Sequence, residues 1–354
     1  MKPPAPEAPD APKHDGDAML PPAEHWLTAF PLSIFWGRDG LRAVWGVIVF
    51  LLAFAGLSSC FAPLAHFFYP KGTIILPMAP GRLFLVEGIS LFCAAIATLT
   101  MARLERRPVA AYGFQSRSCL RNFALGLITG LVLLSLLVLL LHTLGLLAFD
   151  ARLLSAGAAL CYAAVWLFGF LLVGLLEEVL GRGYLQFTLT RGLIAVYRWL
   201  FGPRYANALG FWTAATALSY CFGAGHGSNS GESPLGLLAA GLAGFLFCFS
   251  LWRTGSLWWA IGFHTSWDWA QSFLYGVPDS GLLVQHRLFA THALGTTWLS
   301  GGLTGPEGSI LFLPVALAGA AIIVITLPAT HHGYIAADNP EPAAEQRRHT
   351  SVLP

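Results

Sequence analysis

Long apolar runs alternate with short polar loops over most of the 354 residues. An α-helix needs about 20 residues to cross a bilayer, and eight runs are close to this length or exceed it. They occupy residues 45–68, 83–102, 123–147, 154–189, 208–226, 235–252, 256–275 and 310–327. The pattern therefore predicts an all-α fold, namely a polytopic membrane helix bundle with about eight transmembrane helices.

Polar tails flank the apolar part of the chain. Residues 1–40 begin with a stretch rich in Pro, Ala and acidic residues, and residues 331–354 have a similar composition. Such segments cannot bury enough apolar surface to fold. We expect a disordered N-terminal tail over 1–40, one integral membrane domain over 41–330, and a disordered C-terminal tail over 331–354. The N-terminus lacks the pattern of a cleaved signal peptide.

Composition supports a bilayer environment. Charged residues make up 11% of the chain and apolar residues 56%, whereas soluble domains carry about 25% charged residues. The formal net charge of +2 is small, and the basic residues are spread over several loops. A nucleic-acid partner is therefore not expected. The lipid bilayer is the surrounding that the composition favours.

Arginines in short loops predict the orientation of the bundle. The loop after the second run is the richest in basic residues, and basic loops tend to remain in the cytoplasm. Counting spans from this loop places both termini in the cytoplasm, together with the arginines near residues 200 and 253. The arginines concerned are Arg103, Arg106, Arg107, Arg117, Arg121, Arg191, Arg198, Arg204 and Arg253.

Two adjacent carboxylates, Glu177 and Glu178, end the fourth apolar run. Ionisable residues at membrane depth usually mark a functional site. The two acids lie about 100° apart around a helix, so they face different directions. Glu178 precedes Arg182 by four residues, the favourable order for a helical ion pair, which leaves Glu177 as a candidate general base. The alternative is that both acids only cap the span at the membrane interface.

Histidines mark two later runs. His226 follows Phe222 by one helical turn at the end of the fifth run, where a lone histidine is usually an interfacial residue. His264 and Asp268 are also four residues apart and share a helix face. Asp268 would then fix the tautomer of His264, or both would bind one metal. The alternative is a hydrogen-bonded pair that holds two helices together.

The motifs EEVLGR, FGAGH and HTSWD, which contain these residues, resemble in order and context the three motifs of the CPBP (ABI) family of intramembrane proteases. This family includes the type II CAAX prenyl endopeptidases, and its pattern is EExxxR, FxxxH and HxxxN or HxxxD. The resemblance covers about residues 154–275. The segments around the motifs also look like those of bacterial members, which implies the inner membrane of a bacterium.

The resemblance implies hydrolysis of a peptide bond in a membrane-associated substrate. In the mechanism proposed for the family, the residue matching Glu177 activates a water with help from that matching His226. The residues matching His264 and Asp268 stabilise the oxyanion, and Glu178, the other acid of the motif, counts with these four as a candidate catalytic residue. Arg182 and Phe222 are expected to give structural support.

Family members are often labelled metalloproteases, and a divalent metal such as zinc is the candidate cofactor, with no cofactor as the alternative. The candidate ligands are Glu177, His226, His264 and Asp268. The chain contains neither the HExxH motif of zinc proteases nor the GxSxG motif of serine hydrolases.

Asp268 stands where prenyl endopeptidases carry Asn, and an ionised Asp cannot donate a hydrogen bond to an oxyanion. Asp268 is therefore protonated, or orients His264, or binds a metal. The alternative function is non-catalytic. The same polar residues would then hold the helices of a membrane scaffold or of a bacteriocin-immunity-type protein together. A proton-coupled transporter is a third reading, but neither a through-going polar pathway nor repeat symmetry is visible.

The predicted depths of the motif residues in the membrane do not agree with one another. Glu177 and His264 fall in the cytoplasmic half of the membrane, whereas His226 lies about 20 residues into a span that runs away from the cytoplasm. Their meeting requires that the fifth span start later than residue 208 and that residues 187–208 form an interfacial helix. Residues 276–309 are expected to form an ordered connecting loop, with a gating or partner-binding role as the alternative.

Overall fold

A computed structural model describes residues 34–37, 40–69, 77–115 and 118–329. The tail predicted over 331–354 lies outside the described residues, as does the tail predicted over 1–40 apart from 34–37 and 40. Ten α-helices are described in these ranges. They are α1 (Ala43–Phe68), α2 (Pro80–Leu104), α3 (Cys119–Thr143), α4 (Ala156–Glu178), α5 (Gln186–Phe201), α6 (Pro203–Gly225), α7 (Pro234–Thr254), α8 (Trp258–Asp268), α9 (Thr297–Ser300) and α10 (Phe312–Thr326). The predicted all-α class is confirmed.

Two π-helical segments and two small ladders complete the fold. The π segments Val179–Leu185 and Trp269–Leu274 directly follow α4 and α8. Strand β1 (Trp36–Gly37) pairs with β2 (Gly40–Leu41), and β3 (Leu147–Arg152) pairs antiparallel with β4 (Phe289–Ala293), with a register shift at Asp150. Short 3₁₀ turns lie at Val109–Tyr112, His226–Ser228 and Pro306–Gly308.

Five helical segments of the described chain are long and apolar enough to cross a membrane: α1, α2, α3, the continuous stretch Ala156–Phe201, and α7. The chain is therefore a multi-pass membrane protein. The other three predicted spans are also helical, but they are not among the five segments that are long and apolar enough to cross a membrane. They are α6, α8 with its following π segment, and the 15-residue α10.

Glycines allow α3 and α8 to pack closely. A Cβ on Gly126 would stand 2.8 Å from the backbone nitrogen of Phe263, and one on Gly262 would stand 3.0 Å from that of Leu127. Small residues permit such approaches between membrane helices. All residues of α8 from Trp259 to Asp268 are buried as a result, so α8 is a central helix that other helices surround.

Four of the arginines that the sequence groups together lie at one end of the bundle. Arg107 and Arg191 lie 3.7 and 3.6 Å from Oε2 of Glu105, just after α2. Arg121 donates to the carbonyl of Thr326, and Arg253 donates to that of Leu327 at 2.7 Å. Because these contacts join the start of α3 and the ends of α2, α7 and α10, we define this region as the arginine end.

The helix predicted over 187–208 is present, but Gly202 and Pro203 divide it between α5 and α6. Arg191 of α5 donates to the carbonyl of Leu41 at 3.0 Å, so α5 lies against the start of α1 at the arginine end. Because α6 begins at Pro203, its first residues overlap the predicted interfacial segment, and the later start of the fifth span stays a prediction. Proline at the first helical position suits this early start, since it needs no hydrogen bond from its nitrogen.

Candidate active site

One cavity of about 630 Å³ brings the motif residues together. Its wall contains Glu177 from α4, His226 from the end of α6, and His264 and Asp268 from α8. Residues from α2, α7 and the loop after α8 complete the wall. Three sequence motifs that lie far apart along the chain thus face a single space.

Glu178 is the fully buried member of the glutamate pair, with 0% of its side chain exposed. Arg182 donates to its Oε1 from Nη1 at 3.0 Å, which is the ion pair that the four-residue spacing predicts. The guanidinium also lies 4.2 Å from the ring centre of Phe222 and 5.4 Å from that of Phe247. Two aromatic faces and one carboxylate therefore hold a buried cation.

Small residues make room for this guanidinium. A Cβ on Gly244 of α7 would collide with Nη2 of Arg182 and would lie 3.3 Å from the Phe222 ring. Glycine at this position lets Arg182 pass between α6 and α7. A π segment begins just after Glu178, and π turns often occur at functional sites.

His264 connects three carboxyl groups. Its Nδ1 lies 3.1 Å from Oε1 of Glu178, while its Nε2 lies 3.5 Å from Oε2 of Glu177 and 3.5 Å from Oδ2 of Asp268. The Phe247 ring stacks on the imidazole at 5.3 Å. Both ring nitrogens face carboxylate oxygens, so a doubly protonated ring would find an acceptor for each N–H.

Glu177 differs from Glu178 in its access to the cavity, with 33% of its side chain exposed. Water and substrate can therefore reach Glu177 but not Glu178. Asp268 is buried and shares a helix face with His264, as its spacing predicts. The two glutamates thus face different surroundings, which is the division that their 100° separation predicts.

His226 joins this group only indirectly. It caps the end of α6, where its Nδ1 lies 2.8 Å from the carbonyl oxygen of Phe222. The Phe222 ring lies 4.8 Å from the His226 ring and 6.3 Å from the His264 ring. The expected short distance is therefore found between Glu177 and His264, and His226 lines the same cavity in contact with Phe222.

The four candidate metal ligands were tested against this geometry. Within the described residues, no group of three or more His, Cys, Asp or Glu side chains is arranged to hold a metal ion. His264 already directs Nδ1 at Glu178, and His226 directs Nδ1 at a backbone carbonyl. These contacts occupy Nδ1 of each ring and leave Nε2 as the nitrogen for a ligand or a further hydrogen bond. No chemical step is derived through a metal.

Three further carboxyl groups, which the sequence motifs do not include, line the cavity. They belong to Glu87 of α2 and to Asp279 and Glu307 of the loop after α8. The sequence could have indicated Glu87, since an acid inside an apolar run is a candidate functional residue. The two loop acids stand in GVPDSG and TGPEGS, which look like ordinary turns. Burial raises the pKa of Asp279 to about 6, against the hydrogen bond from Ser272, and raises the pKa of Glu307 well above its usual range.

The loop itself is ordered over 276–309, as expected, and its histidines lie outside the cavity wall. His292 lies 2.8 Å from Oδ1 of Asp150 in an exposed pair between β3 and β4. His286 stacks on Tyr162 at 4.1 Å. These contacts explain both histidines as parts of the surface structure.

Comparison with known proteins adds one finding to this geometry. A protein-family model described as "Type II CAAX prenyl endopeptidase Rce1-like" matches residues 159–270. This stretch of the chain is therefore similar to the type II CAAX prenyl endopeptidase family. The match supports the resemblance of the three motifs, all of which lie within the matched residues. Searches of curated proteins and of solved structures found no match to the chain.

The description of this family model names an endopeptidase, which supports the expected similarity to membrane proteases. The matched part of the chain runs from α4 to the first π residues after α8. It therefore includes every motif side chain at the cavity. The loop acids Asp279 and Glu307, and Glu87 of α2, lie outside it.

Proposed function

We propose that this CAAX-protease-like protein hydrolyses a peptide bond of a membrane-associated substrate with a water that Glu177 activates. The observation that carries the proposal is the arrangement around His264, whose two ring nitrogens face Glu178 on one side and Glu177 and Asp268 on the other. Amide hydrolysis needs a general base and hydrogen-bond donors near the developing oxyanion. The cavity offers both within one space.

In this proposal, Glu177 is the base because it is the only member of its pair with access to the cavity. It removes a proton from water as the oxygen attacks the peptide carbonyl, and later gives the proton to the leaving amine. The Nε2–H of His264, which lies 3.5 Å from Glu177, donates to the oxyanion. Glu178 holds the opposite nitrogen of the ring, and Asp268 supports its orientation.

The remaining motif residues have supporting roles. Arg182 compensates the charge of buried Glu178, so that Glu178 can accept from His264 without also competing for the substrate water. Phe222 contacts the rings of His226 and His264 and packs on the guanidinium. We place His226 as a second contact for the water or the peptide, from the opposite wall of the cavity.

We also propose a bacterial inner membrane as the location, with both termini in the cytoplasm. The collection of Arg107, Arg121, Arg191 and Arg253 at one end of the bundle supports this orientation, because basic residues remain preferentially on the cytoplasmic side. The described residues near both termini, Leu41 and Leu327, contact arginines at this same end.

Peptide termini in cell membranes test the protease proposal. Mass spectrometry would compare cells that carry the wild type, Glu177→Gln or Asp150→Asn at equal abundance, the last variant being a control at an exposed acid far from the cavity. Termini present with the wild type and Asp150→Asn but absent with Glu177→Gln would support a protease and name its substrate. Identical termini, with a cellular phenotype that Glu177→Gln rescues, would instead support the scaffold or immunity role.

A further inference from the structure

The loop after α8 is fastened to the segment that follows the candidate catalytic acid. Asp268 ends α8, and the π segment Trp269–Leu274 follows at once. Two consecutive residues of this segment, Gln271 and Ser272, are almost completely buried. Their side chains are polar, so they need partners within the protein.

The loop acids supply these partners. Ser272 donates its hydroxyl to Oδ2 of Asp279 at 3.0 Å. Gln271 donates from Nε2 to Oε2 of Glu307 and to the carbonyl of Pro278 at 2.8 Å. Each of the two buried donors therefore meets a carboxyl group of the loop.

The two acids also belong to one connected network. The other oxygen of Glu307 accepts from the backbone N–H of Ser280 at 2.6 Å, and Ser280 directly follows Asp279. A positive φ of 115° at Gly305 lets this part of the loop approach Pro278 and the side chain of Gln271. Hydrogen bonds thus connect the π segment to two parts of the loop, and these two parts to each other.

A π turn needs this support, because its widened hydrogen-bond pattern is rare and poorly stabilised by itself. Its geometry sets the direction of the preceding residues relative to the helix axis. A change of about 1 Å in a reacting group can cost roughly a hundredfold in rate. The distance of 3.5 Å between Asp268 and Nε2 of His264 therefore depends on what holds the π segment.

We propose that Asp279 and Glu307 are positioning residues, which hold the π segment so that Asp268 and His264 keep their orientation in the cavity. The inference rests on the proposed function for its catalytic consequence, but its structural part stands independently. It gives the loop a role in the active site, beyond that of a connection between α8 and α10. The acids act through Ser272 and Gln271 without contact to the reacting atoms.

The test uses the full chain in lipid nanodiscs with ¹⁵N-labelled histidine. The ring signals of His264 are assigned by their loss in His264→Gln. Asp279→Ala and Ser272→Ala each remove the same hydrogen bond, so both should shift the His264 signals. Asp279→Asn keeps an acceptor oxygen and should restore most of the wild-type spectrum, and Asp150→Asn is the exposed control.

The second readout is cleavage of a peptide substrate, chosen from the new termini that mass spectrometry finds with the wild type. For Asp279→Ala we expect kcat to fall roughly ten- to a hundredfold, with KM little changed. If Asp279→Ala fails to fold, Ser272→Ala decides, because it adds no bulk and introduces no unpaired donor. Unshifted His264 signals in a folded Asp279→Ala or Ser272→Ala protein would overturn the inference. Shifted signals without cleavage by the wild type would instead overturn only the protease function.

Discussion

Removal of the Arg182 guanidinium gives the sharpest prediction from the site. Arg182→Met keeps most of the apolar length of the side chain but leaves the carboxylate of Glu178 buried without its ion pair at 3.0 Å. Arg182 is 1% exposed and Glu178 is not exposed. Breaking a buried pair from one side costs about 3–5 kcal/mol, and the stacking on Phe222 and Phe247 contributes up to about 2 kcal/mol more.

We therefore expect Arg182→Met to lower the free energy of unfolding by about 3–5 kcal/mol or more. The double variant Arg182→Met with Glu178→Gln removes the uncompensated charge, so it should recover a large part of this loss. It should not recover cleavage, because the neutral amide that replaces the carboxylate would hold His264 less firmly. Thermal unfolding of the purified protein, followed by the fluorescence of its 12 tryptophans, measures the first effect.

The control is Arg198→Met, which removes an arginine of α5 that lies outside the cavity wall. Its effect on stability should stay within about 0.5 kcal/mol, as for surface substitutions. Strictly additive losses in the double variant would refute the reasoning, since the two side chains would then not depend on each other. A melting temperature of Arg182→Met equal to that of the wild type would refute it as well.

Three further outcomes can be measured. Gly244→Val should displace the guanidinium of Arg182 and lower both cleavage and melting temperature, whereas Gly157→Ala, with open space around its Cβ position, should not; equal effects would contradict the packing argument. Burial raises the pKa of Asp279 to about 6, so its contribution to stability is full below about pH 4 and is lost as the pH rises through 6. Melting temperatures at about pH 5 and about pH 7.5 should therefore differ less in Asp279→Asn than in the wild type, and an unchanged difference would argue against a buried acid. His292→Ala removes only an exposed pair and should change the melting temperature by less than about 2 °C; a larger fall would mean that β3 and β4 depend on it.

The sequence predicts much of the site because helical spacing is a local property. The ion pair of Glu178 with Arg182 and the contact of His264 with Asp268 each follow from four-residue separations on one helix. Contact between these pairs does not follow from spacing, because it depends on how α4 and α8 cross. The family resemblance supplied that step, and the distance of 3.1 Å between His264 and Glu178 agrees with it.

The sequence pattern does not predict where α6 begins or which residues far apart along the chain contact each other. The break at Gly202 and Pro203 was not predicted, because the two helices that it divides read as one apolar-aromatic stretch in the sequence. Asp279 and Glu307 were missed because their surroundings in the sequence look like exposed turns. Only the folded loop reveals that these acids are partners of Ser272 and Gln271.

If Glu177 activates water for peptide hydrolysis, an oxygen atom from water enters the new carboxyl terminus, and isotope incorporation detects it. Purified wild type and Glu177→Gln would be reconstituted separately with membrane proteins from cells that lack the chain, in water enriched in ¹⁸O. The account predicts new carboxyl termini that carry one ¹⁸O atom with the wild type and none with Glu177→Gln. New termini in equal amounts with both proteins, or with neither, would contradict it.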